Sequence, residues 1–195
     1  MNISHEDARR SLTMIEDTSI QTGRSIAAAY ASPLLMLWGL VWIVAFIGTH
    51  FFLRLASHVW AVLDGVGIIG TILICRWRFR AGIPTKSSDS KRAGWSIFWF
   101  WTFLFAYAAV WLFLFAPVSG RQSNAFICTA VMFAYVIMGL WWKQCRFLLW
   151  LGLAVTVCTL IGFYLIPPAF YCLWMAAAAG VPMLGTGLYL WLCWR

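Results

Sequence analysis

Acidic side chains are scarce in this 195-residue chain, and only one of the six, Asp64, falls inside an apolar stretch. Intramembrane proteolysis by paired aspartates is excluded by that count. Three histidines and six cysteines form no CxxC pair and match no recognised metal spacing. No Ser or Cys stands in a catalytic signature with a base and an orienting acid. Charge is also thin, at 10% of residues, against about 25% in an average globular domain.

What fills the chain instead is apolar: 63% of residues are hydrophobic and 18% aromatic. A hydrocarbon core about 30 Å thick takes roughly 20 helical residues to cross. Six runs of that kind follow one another, near Ser32 to Phe52, Val59 to Cys75, Trp95 to Ala116, Asn124 to Trp142, Phe147 to Ile166 and Ala169 to Trp194. A membrane β-barrel would alternate apolar and polar residues, because one strand face looks into a wet lumen. The third run, WSIFWFWTFLFAYAAVWLFLFA, is apolar all round. The expected fold is all-α, a polytopic transmembrane bundle of six helices.

Lysine and arginine are retained on the cytoplasmic side of a membrane. With the N-terminus inside, Arg9, Arg10, Arg24, Arg76, Arg78, Arg80, Lys86, Lys91, Arg92, Lys143, Arg146 and Arg195 fall on the inner side, and only Arg54 and Arg121 outside. Both termini are therefore expected in the cytoplasm, with the chain multi-pass in the membrane. The net charge of +8 reads as a topology signal that also attracts anionic lipid. Arg76, Arg78, Arg80, Lys86, Lys91 and Arg92 are the candidate contacts to the membrane surface or a partner. Direct nucleic-acid binding is not expected, since Trp77 and Phe79 between the arginines fit an interfacial anchor.

Residues 1–31 read as a short amphipathic cytoplasmic helix and 32–195 as the six-helix transmembrane domain. Ser4 can cap the first helix with Asp7 closing a capping box, and Ala8, Leu12 and Ile15 share one face. About thirty mostly polar residues before the first span argue against a cleavable signal. Ser32 and Pro33 suit the N-cap and first turn of the first span, although the alanines before them are able to carry helix across that point. AGIPTKSSDSKRAG, between the second and third spans, is the one long internal loop. Phe105-Ala106-Tyr107 and Phe133-Ala134-Tyr135 are the only trace of an internal repeat.

Asp64 is the most informative polar residue, because a carboxylate in hydrocarbon costs at least about 2.5 to 3.5 kcal/mol on insertion scales. It is expected to face the bundle interior with Ser57, Ala61, Ile68 and Thr71, which recur at spacings of three and four. Asp64 and Thr71 are the candidate ion or proton site; the alternative is an interior acid that fixes helix register. The letters Gly65-Val66-Gly67-Ile68-Ile69-Gly70 match a dinucleotide fingerprint but lack its strand and βαβ unit, so they read as close-packing residues. Ala176, Gly180, Gly185 and Gly187 read likewise, and Pro182 among them should kink the last helix. His50, His58 and Asp64 form no recognised metal set, and no cofactor is expected. Cys128 and Cys172 fall toward the outer side, where a bridge is conceivable.

The stretches EDARRSLTMIEDT, LLMLWGLVWIVAFIG, MFAYVIMGLWW and RFLLWLGLAVTVCTLIGFYL resemble a group of small uncharacterised bacterial multi-span inner-membrane proteins. That resemblance covers nearly the whole chain. It implies an association with helix-turn-helix transcription regulators and transfers no functional residue. Two functions remain open. One is a non-enzymatic membrane sensor or anchor that docks a cytosolic regulator. The other is a small transporter or channel, possible as a homo-oligomer, using Asp64.

Overall fold

A computed structural model describes residues 5–80, 88–142 and 145–194, which contain helix and no strand. The helices are α1 (His5–Phe51), α2 (Ala56–Arg80), α3 (Ser88–Leu114), α4 (Gly120–Trp141), α5 (Arg146–Leu165), α6 (Tyr171–Met175) and α7 (Val181–Cys193). Short 3₁₀ turns at Leu53–Leu55 and Pro168–Phe170 lead into α2 and α6, and a π-helical turn at Ala176–Gly180 joins α6 to α7. Six segments are long and apolar enough to cross a membrane: Ala29–Phe51, Leu53–Arg78, Gly94–Leu114, Gly120–Trp141, Arg146–Leu165 and Pro168–Cys193. The chain is thus an all-α, multi-pass membrane protein.

The first helix departs from the expected break. α1 is continuous for 47 residues with Pro33 inside it, so Ser32 caps nothing and the boundary between residues 1–31 and 32–195 falls within one helix. Proline removes only its own donor, to the carbonyl four residues back, and the Ala27–Ala31 stretch broken only by Tyr30 holds the helix through that point. Freed from capping, the Ser32 hydroxyl is buried and donates to the Gly187 carbonyl at 2.9 Å. The expected Ser4 cap lies outside the described residues.

α1 is the centre of the bundle, packed on α2, α6, the π turn and α7. α4 and α5 form the other tight pair, and α5 closes against α6 and the π turn. Lipid tails are as apolar as leucine, so helices in a bilayer associate by close packing and hydrogen bonds rather than by hydrophobic exclusion. Glycine makes the closeness possible. A Cβ on Gly187 would stand 2.8 Å from the Met36 nitrogen, and one on Gly152 would stand 2.7 Å from the Met132 carbonyl oxygen. Phe46, Met132, Met175, Met183 and Leu190 are the largest fully buried apolar side chains between these elements.

α4 opens with a complete capping box, Ser119 accepting from the Gln122 amide and Gln122 from the Ser119 amide. In the last span Pro182 sits at the first turn of α7, and the carbonyls it leaves short of a partner fall in the π turn before it. One widened turn stands where the kink is expected. α3 is the outlying span, packing on α4 mainly through Trp101, whose ring meets Tyr135 edge-on at 6.0 Å.

Candidate functional site

α2 leans on α1 through a face set by its bulk and its gaps. Trp38 fits over Gly67 and Leu37 over Gly70, where a Cβ would lie 2.9 and 2.8 Å from their side chains. Phe46 meets Trp60 edge-on at 5.1 Å. Thr71 belongs to this seam: its hydroxyl accepts from Trp38 Nε1 at 3.1 Å and donates to the Gly67 carbonyl at 2.8 Å. Both hydrogen-bonding roles of Thr71 are thereby taken up in holding α2 to α1.

Asp64 lies at the margin of that face rather than within it. It is half-buried, and among the described residues no side chain bonds to its carboxylate. The stripe expected to turn inward with it does not: Ser57, Ala61 and Ile68 are exposed, and a Cβ on Gly65 would touch nothing within 4 Å. The cause is geometric. Gly67 and Gly70 give α1 its closest approach to α2, and they stand roughly a quarter turn or more away from the Ser57–Ala61–Ile68 line, at about 100° per residue. The fingerprint-like glycines are thus seats for side chains of α1, with Gly65 left open.

The basic residues cluster where α2 ends. Arg76 and Arg80 are exposed, and the Arg78 guanidinium lies 4.9 Å from the Trp77 ring centroid, as a cation on an interfacial aromatic does. Lys86 lies outside the described residues. Lys91 and Arg92 belong to the first turns of α3, and their side chains lie outside the described set as well.

A residue that charge counting treated only as an outer-loop base proves to be a clasp. Arg121, at the start of α4, donates through Nη2 to the carbonyls of Gly162 at 2.9 Å, of Ile166 at 3.0 Å, and of Phe163. Those are the unpaired carbonyls at the C-terminus of α5, where a cation also meets the negative end of the helix dipole. Its guanidinium carbon stands 5.2 Å from the Phe163 ring and 5.0 Å from the Tyr171 ring. Tyr171 in turn donates to Asn124 Oδ1 at 3.1 Å. The only warning in the sequence was an α5 that ends at two prolines with no cap of its own.

Other candidates do not assemble. Among the described residues no three His, Cys, Asp or Glu side chains come together to hold a metal ion, so His50, His58 and Asp64 stay apart. All six cysteines are free, and the Cys128 sulfur lies 3.3 Å from the Thr159 hydroxyl rather than bonded to Cys172. A shallow groove of about 540 Å³ between α5 and α7, lined by Trp150, Leu151, Ala154, Gly185 and Tyr189, opens toward the lipid. Comparison with protein-family models, with curated proteins and with solved structures gives no match.

Proposed function

We propose that this chain is a non-enzymatic protein of the bacterial inner membrane that docks a cytosolic regulator on its N-terminal helix. The observation that carries the reading is the continuity of α1. Its membrane-length part begins at Ala29, and residues 5–28 continue the same helix for about 36 Å at 1.5 Å per residue. Every described side chain from Glu6 to Ser25 is exposed, Leu12 at 65% and Met14 at 58%. A rigid helix with apolar side chains open to water offers a groove-seeking surface to a soluble partner. The excess of lysine and arginine on that end favours the cytoplasmic side and contact with anionic headgroups, worth about 1 kcal/mol per base near the surface. The resemblance to proteins associated with helix-turn-helix regulators points to the same kind of partner.

Transport is the competing reading, and Asp64 is the group it needs. Thr71 is committed to Trp38 and Gly67, and Asp64 stands at the edge of a helix face rather than inside the bundle core, so docking has the stronger support. The test is a photo-crosslinking residue at Leu12 in living cells, with Phe113, 83% exposed on a span, as the lipid-facing control. The docking reading expects a discrete soluble-protein adduct at position 12, none at 113, and loss of that protein from the purified complex when residues 1–25 are deleted. Absence of a protein adduct at Leu12, together with ion flux in liposomes abolished by Asp64→Asn, would move the conclusion to transport.

A further inference from the structure

Among the described residues, two polar groups that make no hydrogen bond stand on the outer faces of α2 and α3 among apolar side chains. One is the Asp64 carboxylate on the outer flank of α2. The other is Tyr107 on α3, 68% exposed, whose hydroxyl makes no hydrogen bond among the described residues. Both sit at the same depth. Asp64 is eight residues from the start of α2 at Ala56 and Tyr107 seven from the end of α3 at Leu114, which places them about 12 and 10.5 Å in from the same end of the bundle. Hydrocarbon offers neither of them a partner, and a lipid-facing acid is the costlier of the two.

The faces that bear them are the least covered in the protein. In α2 and α3 only 6% of the apolar span is buried, against 28 to 39% in the other four. Around Asp64 the surface is low at Ala61, which is exposed, and at Gly65, which is open, with Ile68 one turn on at 55%, so another helix can come close at the low side. Around Tyr107 it is high, with Phe103 at 57% and Val110 at 55% exposed one turn to either side. A carboxylate only accepts hydrogen bonds, whereas a phenol donates one. Shape and hydrogen bonding are therefore complementary between α2 and α3, while two α2 faces would set carboxylate against carboxylate.

We propose that a second copy of this chain covers α2 with its α3, the Tyr107 hydroxyl of one copy donating to Asp64 of the other. The same contact is made twice, reciprocally, in a two-fold dimer, or once per neighbour around a ring. Asp64 then acts in assembly. This does not depend on the docking function of α1, since an oligomer forms or fails to form whether or not a regulator binds.

The test uses the full chain in liposomes, with subunit stoichiometry read by single-molecule photobleaching as protein is diluted in lipid. Tyr107→Phe and Asp64→Leu each should raise the half-association density about threefold, and at most about twentyfold, the range of one interhelical hydrogen bond in a bilayer. The double variant should go no further than either single one. Asp64→Asn keeps an acceptor and should keep association, and Tyr164→Phe, exposed on α5, should leave it unchanged. A photo-crosslinking residue at position 107 should yield an adduct within residues 57–72 of another copy. A chain that stays monomeric at every density, a midpoint unmoved by Tyr107→Phe, or an adduct confined to other helices would overturn the proposal.

Discussion

Gly39 and Leu184 touch through their backbones: a Cβ built on Gly39 would lie 2.5 Å from the Leu184 nitrogen and 3.0 Å from the Gly180 carbonyl oxygen. That contact locks the middle of the membrane-length part of α1 to the start of α7, just beyond the π turn. Nothing flexible stands in the way, so a methyl group there forces helix against helix. Gly39→Ala should cost about 1 to 3 kcal/mol of bundle stability, the usual range for overpacking. Gly185, five residues beyond Gly180 and with open space around it, should behave oppositely, gaining about 0.5 to 1 kcal/mol as alanine because helix propensity improves. Unfolding of both variants in mixed micelles distinguishes the two signs.

Arg121 makes a second prediction. Three carbonyls of α5 depend on one guanidinium group, and hydrogen bonds to charged groups are worth about 1.5 to 3 kcal/mol. Arg121→Gln should lose stability in that range. Arg121→Lys should recover only part of it, because an ammonium lacks the planar fork and stacks poorly between Phe163 and Tyr171. The same unfolding titration measures all three.

The α1–α2 seam predicts a coupling. Thr71→Val leaves the half-buried Trp38 Nε1 donor without its partner, at a cost near the lower end of the range of about 1 to 3 kcal/mol for an orphaned buried donor. Trp38→Phe removes the donor itself and adds a loss of ring contact. In the double variant the two costs should fall short of additivity, by about the 0.6 to 1.7 kcal/mol measured for interhelical hydrogen bonds in membranes. Full additivity in a double-mutant cycle would mean that the 3.1 Å bond contributes nothing.

All six cysteines are free, so thiol titration of the unfolded chain should return six equivalents with or without prior reduction. Cys145, between α4 and α5, should react slowly with maleimide in the folded protein at neutral pH. Burial pushes its thiol above the ordinary value, and the thiolate is the reactive form. Raising the pH should speed its labelling.

The six spans were legible because lipid imposes one rule along the whole chain: a run long enough and apolar enough must be a helix. Their observed ends fall within four residues of the runs read from hydropathy, except that the second span starts six residues earlier, at Leu53. Which face of each helix packs was not legible. Ser57, Ala61, Asp64 and Ile68 look like an inner stripe, yet Gly67 and Gly70 decide the contact, because Trp38 and Leu37 need room that only a missing side chain provides. In water an exposed apolar face would have betrayed the error, but in a bilayer both faces are at home. Pro33 misled for a related reason. A local cap signal competes with the helix on either side of it, and here the alanines before it prevailed. Arg121 escaped notice because its partners are carbonyls 41 to 45 residues away, and backbone acceptors leave no mark in a sequence.

The continuity of α1 is what the docking function rests on, and it is open to a direct distance measurement. Spin labels at Met14 and Leu40, both exposed, with the protein in lipid nanodiscs, span 26 helical residues across Pro33, about 39 Å at 1.5 Å per residue. A single narrow distribution near that distance is the predicted result. A broad distribution, or a peak well short of it, would mean that the helix breaks at the membrane surface and that no rigid arm is presented to a partner.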